Sequence, residues 1–466
     1  MTDLRRIVLF VLSALALSAS AARPKNVIVF IGDGMSTPQR MTAEEFARKA
    51  KLPPLAMNAL PHQATTRTCS ADSLVTDSAA AATALACGAK TYNGGIGVDA
   101  KGRPLVSSAE VAKKTGRRVG IVTTVTINHA TPAGFYAHRK NRSDGYGIGL
   151  DLVASGFDYF AGGDCSGHGD TKHAEYRGDI HELAERAGYA IVREDIAAFR
   201  ALKPSTNKVW YVVTQGILPF AIDAAERPDR PTLAELTQKG LELLDCEEGF
   251  FLMVEGGRID WAGHANDPAT NLREVMALED AVRVALEFQK KEPETLVVVT
   301  GDHETGGMTM GFAATGYAFY MDRLANQTCS TEAFEEFLKR SKPTDFGPIR
   351  LFLESNFGFV FEPTDKKDPM ALTAAEVKSL AAAFAHDLDL ARRGKKDDEA
   401  YDAEKITRLP TVVKATMSHK CGIGWSSGAH TALPVLTTAK GPGAERFVGF
   451  IDNTDVSKIL KELLAR

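Results

Sequence analysis

Six strongly apolar runs, separated by stretches of helical spacing, constrain the fold of this chain more than any other feature. The runs are residues 26–31, 119–125, 157–161, 208–213, 250–254 and 295–299. Each is apolar on both faces, which is typical of strands covered by helices on either side. Between the last two, residues 271–291 repeat apolar side chains at helical spacing. We therefore predict an α/β fold, a three-layer αβα sandwich with a largely parallel central sheet.

The regular pattern stops between about residues 304 and 430. Within this segment, residues 372–384 and 387–405 are predicted to form two helices. Strand-like runs return at 433–438 and 446–451, and a final helix is predicted at 455–464. We predict one domain over residues 22–466, with an inserted lid or crown at about 304–430.

The N-terminus has the three parts of a secretory signal peptide. Arg5 and Arg6 precede an apolar run at residues 7–17, and Ala19-Ser20-Ala21 follows as a cleavage site. The apolar run is shorter than the ~20 residues that a membrane-spanning helix needs. We expect cleavage after Ala21 and an exported protein, periplasmic or secreted, without a membrane span.

The net charge and the cysteines bear on which ligands the protein binds. The net charge of −4 gives no basic excess that would indicate nucleic-acid binding. An anionic substrate would therefore need local cations, either metals or arginines. The six cysteines are widely spaced, without the paired spacing of a zinc thiolate site, and their pairing cannot be deduced.

A serine stands at the start of an alanine-rich helical stretch. Asp77-Ser78 is followed by Ala79-Ala80-Ala81-Ala82-Thr83-Ala84. At the first turn of a helix, unpaired backbone N–H groups and the helix dipole favour a bound anion, so Ser78 suits attack on phosphate. An ordinary N-cap is the alternative.

Three carboxylates come at the ends of predicted strands. Asp33 follows 26–31, Glu255 follows 250–254, and Asp302 with His303 follows 295–299. Each could simply mark where the chain reaches water. In a parallel sheet, however, they would meet at one edge, where carboxylates repel one another unless a cation lies between them. A metal site is therefore the interpretation that accounts for all three carboxylates together.

One further aspartate and two further histidines are candidate metal ligands. Asp260 and His264 share a face if their segment is helical, and mixed nitrogen and oxygen donors suit zinc, although such a pair also occurs as a surface ion pair. His430 is a lone histidine in a loop of small residues. Two metal ions would suit in-line phosphoryl displacement.

Taken together, these residues resemble the alkaline phosphatase family. The resemblance covers nearly the whole mature chain. It is carried by six ordered motifs: NVIVFIGDGMS at 26–36, TDSAAAATA at 76–84, HATPAGFYAH at 129–138, VEGGRIDWAGH at 254–264, TGDHETGG at 300–307, and the late His430.

The resemblance implies a phosphomonoesterase that forms a phosphoserine on Ser78. Two zinc ions are implied, the first held by Asp33, Asp302 and His303 and the second by Asp260, His264 and His430. A third site, normally magnesium, would use Asp33 with Glu255 and Thr131. Arg142 would grip two phosphate oxygens through its planar fork; a surface arginine beside Asp144 is the alternative. A homodimer is also implied.

Two residues depart from the bacterial prototype of the family, which has Asp and Lys where this chain has His129 and Trp261. His129 is assigned with Arg142 and Trp261 to substrate binding; it also favours nitrogen-tolerant ions at or beside the third site and leaves the identity of the third metal open. Trp261 removes a cation near the phosphate, and substrate contact or simple packing would both explain it.

The favoured function is hydrolysis of small phosphate monoesters to inorganic phosphate and an alcohol. A phosphodiesterase or sulfatase of the same superfamily is one alternative, and a noncatalytic exported protein that binds metal or phosphate is another. The remaining histidines are assigned no chemistry, although His168 and His173 could form an extra cation site. They are His62, His138, His168, His173, His181, His386 and His419.

Overall fold

A computed structural model describes residues 23–205, 207–213, 216–365, 367–392 and 408–465. The predicted signal peptide at 1–21 lies outside these residues, as do residues 393–405 of the predicted helix at 387–405. Within the described ranges, no helix combines the length and the apolar character needed to cross a bilayer.

Ten strands form the central sheet, in the order β14-β2-β13-β8-β1-β7-β3-β4-β6-β5. They are β1 Asn26–Gly32, β2 His62–Arg67, β3 Arg118–Thr126, β4 Tyr159–Gly163, β5 Tyr189–Arg193, β6 Lys208–Val213, β7 Phe250–Gly256, β8 Thr295–Gly301, β13 Val435–Lys440 and β14 Gly449–Asp452. Among these ten, only β13 runs antiparallel to its neighbours. The predicted largely parallel sheet is confirmed.

Four short strands form two small separate sheets, in which β10 pairs with β11 and β12 pairs with β9. They are β9 Glu304–Thr305, β10 Met308–Met310, β11 Ile423–Trp425 and β12 His430–Thr431.

Fifteen α-helices are present in the described residues. They are α1 Thr37–Lys49, α2 Ser78–Cys87, α3 Ser108–Lys114, α4 Ala130–Ala133, α5 Gly145–Ser155, α6 Ile180–Arg186, α7 Ile196–Ala201, α8 Leu233–Leu244, α9 Arg258–His264, α10 Pro268–Lys291, α11 Thr331–Ser341, α12 Gly347–Phe357, α13 Ala374–Arg392, α14 Leu409–Cys421 and α15 Asn453–Leu464.

Alternate residues of β1 point into two different hydrophobic cores. Ile28 and Phe30 pack on one side with residues of α1, α8 and α10, whereas Val27, Val29 and Ile31 pack on the other with residues of α2, α3 and α15. Successive side chains of a strand point to opposite faces, so two cores mean two helical layers. The predicted three-layer sandwich is confirmed.

The segment between β8 and β13 adds no strand to the central sheet in its described residues. It holds the two small sheets and helices α11 to α14. One helix, α13, spans 374–392, where two helices at 372–384 and 387–405 were predicted; that boundary was wrong. Only Ala385 and His386 separate the two predicted helices, and neither residue breaks a helix.

Candidate active site

Strand register brings the predicted acidic residues to one edge of the sheet. Gly32 of β1 lies beside Gly301 of β8, so Asp33 and Asp302 follow at the same level. On the other side, Ile31 of β1 pairs with Glu255 of β7. All three carboxylates are buried.

Ser78 enters this cluster from the first turn of α2. The Asp77 side chain caps the helix by accepting a 2.9 Å hydrogen bond from the Ala80 amide. All ten residues of α2 are buried, and its alanines allow close packing: a Cβ on Gly134 would lie 2.9 Å from the Ala82 Cβ. The helix thus presents Ser78 Oγ at 3.2 Å from Nε2 of His303.

Asp33, Asp302 and His303 form the first ligand group. Nε2 of His303 lies 3.4 Å from Oδ1 of Asp33 and 3.2 Å from Oδ2 of Asp302. The amides of Gly34 and His303 donate to Asp302 Oδ1 at 3.0 and 2.8 Å, which orients the carboxylate and leaves Oδ2 facing the histidine. One atom from each of the three residues is therefore available to a single cation.

The second ligand group is the predicted set Asp260, His264 and His430, although the possible ligands that lie within 4.8 Å of one another here are Asp260, His303 and His430. Asp260 and His264 are one turn apart on α9, with Oδ2 and Nε2 3.3 Å from each other. His430 reaches them from β12, with its Nε2 3.5 Å from Asp260 Oδ1 and 3.2 Å from His264 Nε2.

Backbone carbonyls hold both of these histidines by their other ring nitrogen. Nδ1 of His264 lies 2.7 Å from the Gly428 carbonyl oxygen, and Nδ1 of His430 lies 2.9 Å from that of Thr76. This arrangement is typical of metal-binding histidines, because it fixes the tautomer and leaves Nε2 free to bind a metal. The stacked rings of His303 and His430, with centroids 3.6 Å apart, join the two groups.

A third group lies around Asp33 on the β7 side. Thr131 donates a 3.2 Å hydrogen bond to Oδ2 of Asp33. Asp33, His129 and Glu255 each offer a ligand atom within 4.8 Å of the others. His129 is thus placed among the third group's oxygen donors, and Nδ1 of its ring is buried without a hydrogen-bond partner in the described part of the chain.

Arg142 is partly exposed and contacts the cluster through His129. Its guanidinium donates to Asp77 Oδ2 at 3.1 Å and lies 3.3 Å from His129 Nε2. The predicted alternative partner, Asp144, pairs with Arg139 and His173 instead.

Trp261 packs edge-on against the His129 ring, with centroids 6.3 Å apart. The Arg258 guanidinium lies over the face of the indole, 5.4 Å from its centroid. The tryptophan therefore contacts the third group through His129.

Burial and neighbouring charges shift the pKa values of the acidic groups in the cluster. Desolvation, followed by the charge of Asp302, raises the pKa of Asp33 well above its ordinary value. Burial likewise raises the pKa of Glu255 to about 8 and that of Asp302 to about 7. For Asp260, burial is outweighed by hydrogen bonds from His264 and His430, which hold its pKa well below the usual range.

The donor set fits divalent cations. Within this cluster, three buried carboxylate oxygens have no hydrogen-bond partner among the described residues, namely Oδ1 of Asp33, Oε1 of Glu255 and Oδ2 of Asp302. Unpaired buried carboxylate oxygens are costly, and a cation between them would relieve both their desolvation and their mutual repulsion. Histidine nitrogen with carboxylate oxygen suits zinc in the first two groups.

Two residues that support these ligands were missed from the sequence. Thr123 donates to Glu255 Oε2, its neighbour across the β3–β7 pair, and Thr305 donates a 2.5 Å hydrogen bond to Asp260 Oδ1. Thr123 lies inside an apolar run, and only the strand register indicates its partner. Thr305 belongs to the TGDHETGG motif, but nothing local links it to Asp260.

Comparisons with known proteins show the family of this chain. The family model described as alkaline phosphatase matches residues 24–149 and 164–465. Alkaline phosphatase 3 of Bacillus subtilis is 34% identical, over 93% of this chain and 87% of its own length. The cold-active alkaline phosphatase of a psychrophilic Shewanella superposes with a TM-score of 0.79 at 29% identity, covering 95% of this chain and 100% of that one.

A further solved structure carries a bound metal. A histidine-to-aspartate mutant of TAB5 alkaline phosphatase, described with Mg bound in its M3 site, is 25% identical with a TM-score of 0.65 and covers 96% of this chain and 99% of that one. With the fold and family model matched over nearly the full length, this chain is a phosphomonoesterase that belongs to the alkaline phosphatase family.

Proposed function

We propose that the protein hydrolyses small phosphate monoesters through a phosphoserine on Ser78, at a site for two zinc ions and a third divalent cation. The observation that carries this proposal is the position of Ser78 Oγ, 3.2 Å from His303 at the edge of a buried carboxylate and histidine cluster. The Ser78 hydroxyl does not serve as the N-cap, because the Asp77 side chain already caps the helix.

Each ligand group corresponds to one ion. Asp33, Asp302 and His303 would hold the zinc nearest Ser78, while the second zinc would be held by Asp260, His264 and His430. When bound, zinc supplies Lewis-acid stabilisation of oxygens that gain negative charge during phosphoryl transfer. The first set coincides with a group of possible ligands within 4.8 Å of one another, whereas Asp260 is grouped with His303 and His430, so His303 would lie between the two ions.

Ser78 would attack phosphorus, and Arg142 would bind the phosphate group. As the bond from Ser78 Oγ to phosphorus forms, the ester P–O bond breaks; Ser78 loses its hydroxyl proton to solvent and the leaving oxygen takes one up, so that it departs as an alcohol. Water then attacks phosphorus, the bond to Ser78 Oγ breaks, and a proton returns to Oγ as inorganic phosphate is released. The Arg142 fork, held by Asp77, would bind two phosphate oxygens and orient the group for in-line attack.

The third cation would be bound by Asp33, Glu255 and Thr131. His129 lies with this group and offers nitrogen, which leaves magnesium and a nitrogen-tolerant ion both open. A TAB5 relative in which a histidine became aspartate is described with Mg bound in its M3 site. Trp261, in edge contact with His129, would steady its ring and line the substrate side.

Three broader proposals accompany the activity. The chain would be exported by its N-terminal segment, residues 304–430 would form a lid or crown over the site, and the protein would act as a homodimer. The lid proposal is supported by His430, which enters the cluster from this segment. Sedimentation of the purified protein would test the dimer.

Activity assays distinguish the possible reactions. The purified protein should release phosphate from para-nitrophenyl phosphate at alkaline pH, lose this activity on chelation, and regain it with zinc plus magnesium. A matched diester and sulfate ester should react far more slowly. A faster diester or sulfate reaction would favour the superfamily alternatives, whereas failure of every divalent ion to restore hydrolysis would favour a noncatalytic binding protein.

A further inference from the structure

Outside the candidate active site, two histidines and an aspartate converge where the loop after β4 meets the start of α6. We propose that His168, Asp179 and His181 form an additional cation site for a zinc-class divalent ion. It shares no residue with the three ligand groups described above.

The ligand atoms lie close to the spacing of a zinc site. One atom from each of the three residues lies within 4.8 Å of the others. Nδ1 of His168 lies 2.6 Å from Asp179 Oδ2, and Nδ1 of His181 lies 3.3 Å from Asp179 Oδ1. Ligands of a tetrahedral zinc ion with bonds of about 2.0–2.1 Å are about 3.3 Å apart. Small rotations would therefore suffice to bind an ion.

A second carboxylate orients one of the histidines. Nε2 of His181 lies 2.8 Å from Oδ1 of Asp164, whereas Nδ1 of the same ring faces Asp179. The ring is buried and packs against Trp210, with centroids 5.1 Å apart. A histidine fixed by a carboxylate on one nitrogen, with the other turned toward further donors, is the usual supporting arrangement of a metal ligand.

The histidine pairing differs from the sequence hypothesis. His168 and His173 do not meet in one site; His173 instead contacts Asp144 at 2.8 Å, in a group that includes Glu175. The group of Asp144, His173 and Glu175 already has a positive charge beside it, because the Arg139 guanidinium lies 2.5 Å from Glu175 and 3.5 Å from Asp144.

The proposed site differs from the group of Asp144, His173 and Glu175 in the basic residues that pair with it. In the part of the chain that the structure describes, neither the His168 group nor its supporting Asp164 has an arginine or lysine among its ion pairs. A bound divalent ion would therefore supply the positive charge that Arg139 supplies to the other group.

Such an ion would be structural. It would tie His168, in the middle of a long loop, to Asp179 and His181 at the start of α6, and because the site exists only in the folded chain, the free energy of binding would stabilise the fold. The same loop carries His173, which holds Asp144, the N-cap of the helix that follows Arg142. The proposed ion would thus steady the segment next to the phosphate-binding arginine.

Counting bound zinc tests this site without any measurement of catalysis. The chelated full-length protein would be titrated with Zn²⁺ alone by calorimetry, with elemental analysis after gel filtration. His168→Asn should bind one zinc fewer than the wild-type protein. The matched control His173→Asn alters the same loop outside the cluster and should retain the wild-type count. His168 is partly exposed, so its replacement should not prevent folding.

Hydrogen exchange gives a second measurement. In the zinc-loaded protein, amides of residues 168–181 should exchange about ten-fold more slowly than in His168→Asn, and the control should match the wild type. Equal zinc counts for His168→Asn and the wild type would overturn the site and leave a metal-free hydrogen-bonded cluster. Equal loss in both variants would overturn it as well, because the effect would then belong to the loop. Neither result depends on whether the proposed hydrolysis is correct.

Discussion

The hydroxyl oxygen of Ser78 lies 3.2 Å from Nε2 of His303, although the two residues are 225 positions apart in the chain. One stands at the first turn of α2 and the other just beyond β8. Their contact places a potential nucleophile against the first ligand group, and the proposed chemistry depends on it.

Ser78→Ala should abolish hydrolysis while the metal sites remain. The change removes only the attacking oxygen, so we expect kcat for para-nitrophenyl phosphate to fall by about 10³-fold or more. Acid quenching during turnover should trap phosphate on the wild-type protein and none on the variant. Ser73→Ala, five residues earlier, is the control and should behave as wild type. Undiminished turnover in Ser78→Ala would rule out the proposed nucleophile.

Arg142→Lys should weaken phosphate binding despite keeping the charge. Lysine lacks the planar fork, and hydrogen bonds to charged groups contribute about 1.5–3 kcal/mol each, so kcat/KM should fall by about 10- to 10³-fold. Inhibition by inorganic phosphate should weaken in parallel. Arg103→Lys, the same change in an exposed ion pair with Asp99, should leave both unchanged. Unaltered phosphate inhibition in Arg142→Lys would show that this arginine does not bind the substrate.

Gly34→Ala should damage the metal site through the backbone. Gly34 has a φ of +73°, and a Cβ there would lie 2.8 Å from the Asp260 Cα and from Thr305 Oγ1. The new methyl group would push Asp33 away from Asp260. We expect a loss of about 2–4 kcal/mol in the free energy of unfolding together with reduced zinc content.

Gly156→Ala is the matched control for that change. Gly156 has a φ of +60°, and beyond its chain neighbours no atom of the described residues lies within 4 Å of where a Cβ would stand. It should lose only about 1 kcal/mol from backbone strain and keep its zinc. Denaturant unfolding and elemental analysis measure both effects. Equal zinc content in the two variants would show that crowding at Gly34 does not control the ligands.

Glu274→Gln should change how stability depends on pH. Burial is the main cause that raises the pKa of Glu274 from 4.5 to about 7. Because the folded-state pKa is the higher one, the contribution to stability is fully present below pH 4.5 and is lost as the pH rises through about 7. A neutral amide still accepts the Ala221 amide hydrogen bond and avoids that loss.

Urea unfolding of Glu274→Gln between about pH 5 and 9, at fixed metal concentration, measures the effect. The variant should gain on the wild type as the pH rises, by up to about 3 kcal/mol at the alkaline end. Glu445→Gln, at an exposed position, should follow the wild type throughout. A constant difference between Glu274→Gln and the wild type across this range would mean that Glu274 does not titrate as described.

Much of the fold could be predicted because its strands are locally distinctive. The apolar runs at 26–31, 250–254 and 295–299 became β1, β7 and β8, each fully buried. Two strands of the central sheet were missed, as were the four short strands of the two small sheets. β2 has the polar sequence HQATTR, and β5 is a partly exposed edge strand. Both acquire strand structure from pairing with neighbours, which local hydrophobicity does not reveal.

The amino-acid sequence by itself determined the alternation of strands and helices and, through its motifs, which side chains carry chemistry, because both depend on short-range patterns. Only the tertiary structure decided which of those side chains meet. It placed Thr123 against Glu255, Thr305 against Asp260, and His168 beside His181 instead of His173. Such contacts depend on strand order, on register and on the path of long loops, which are set by packing across the whole domain.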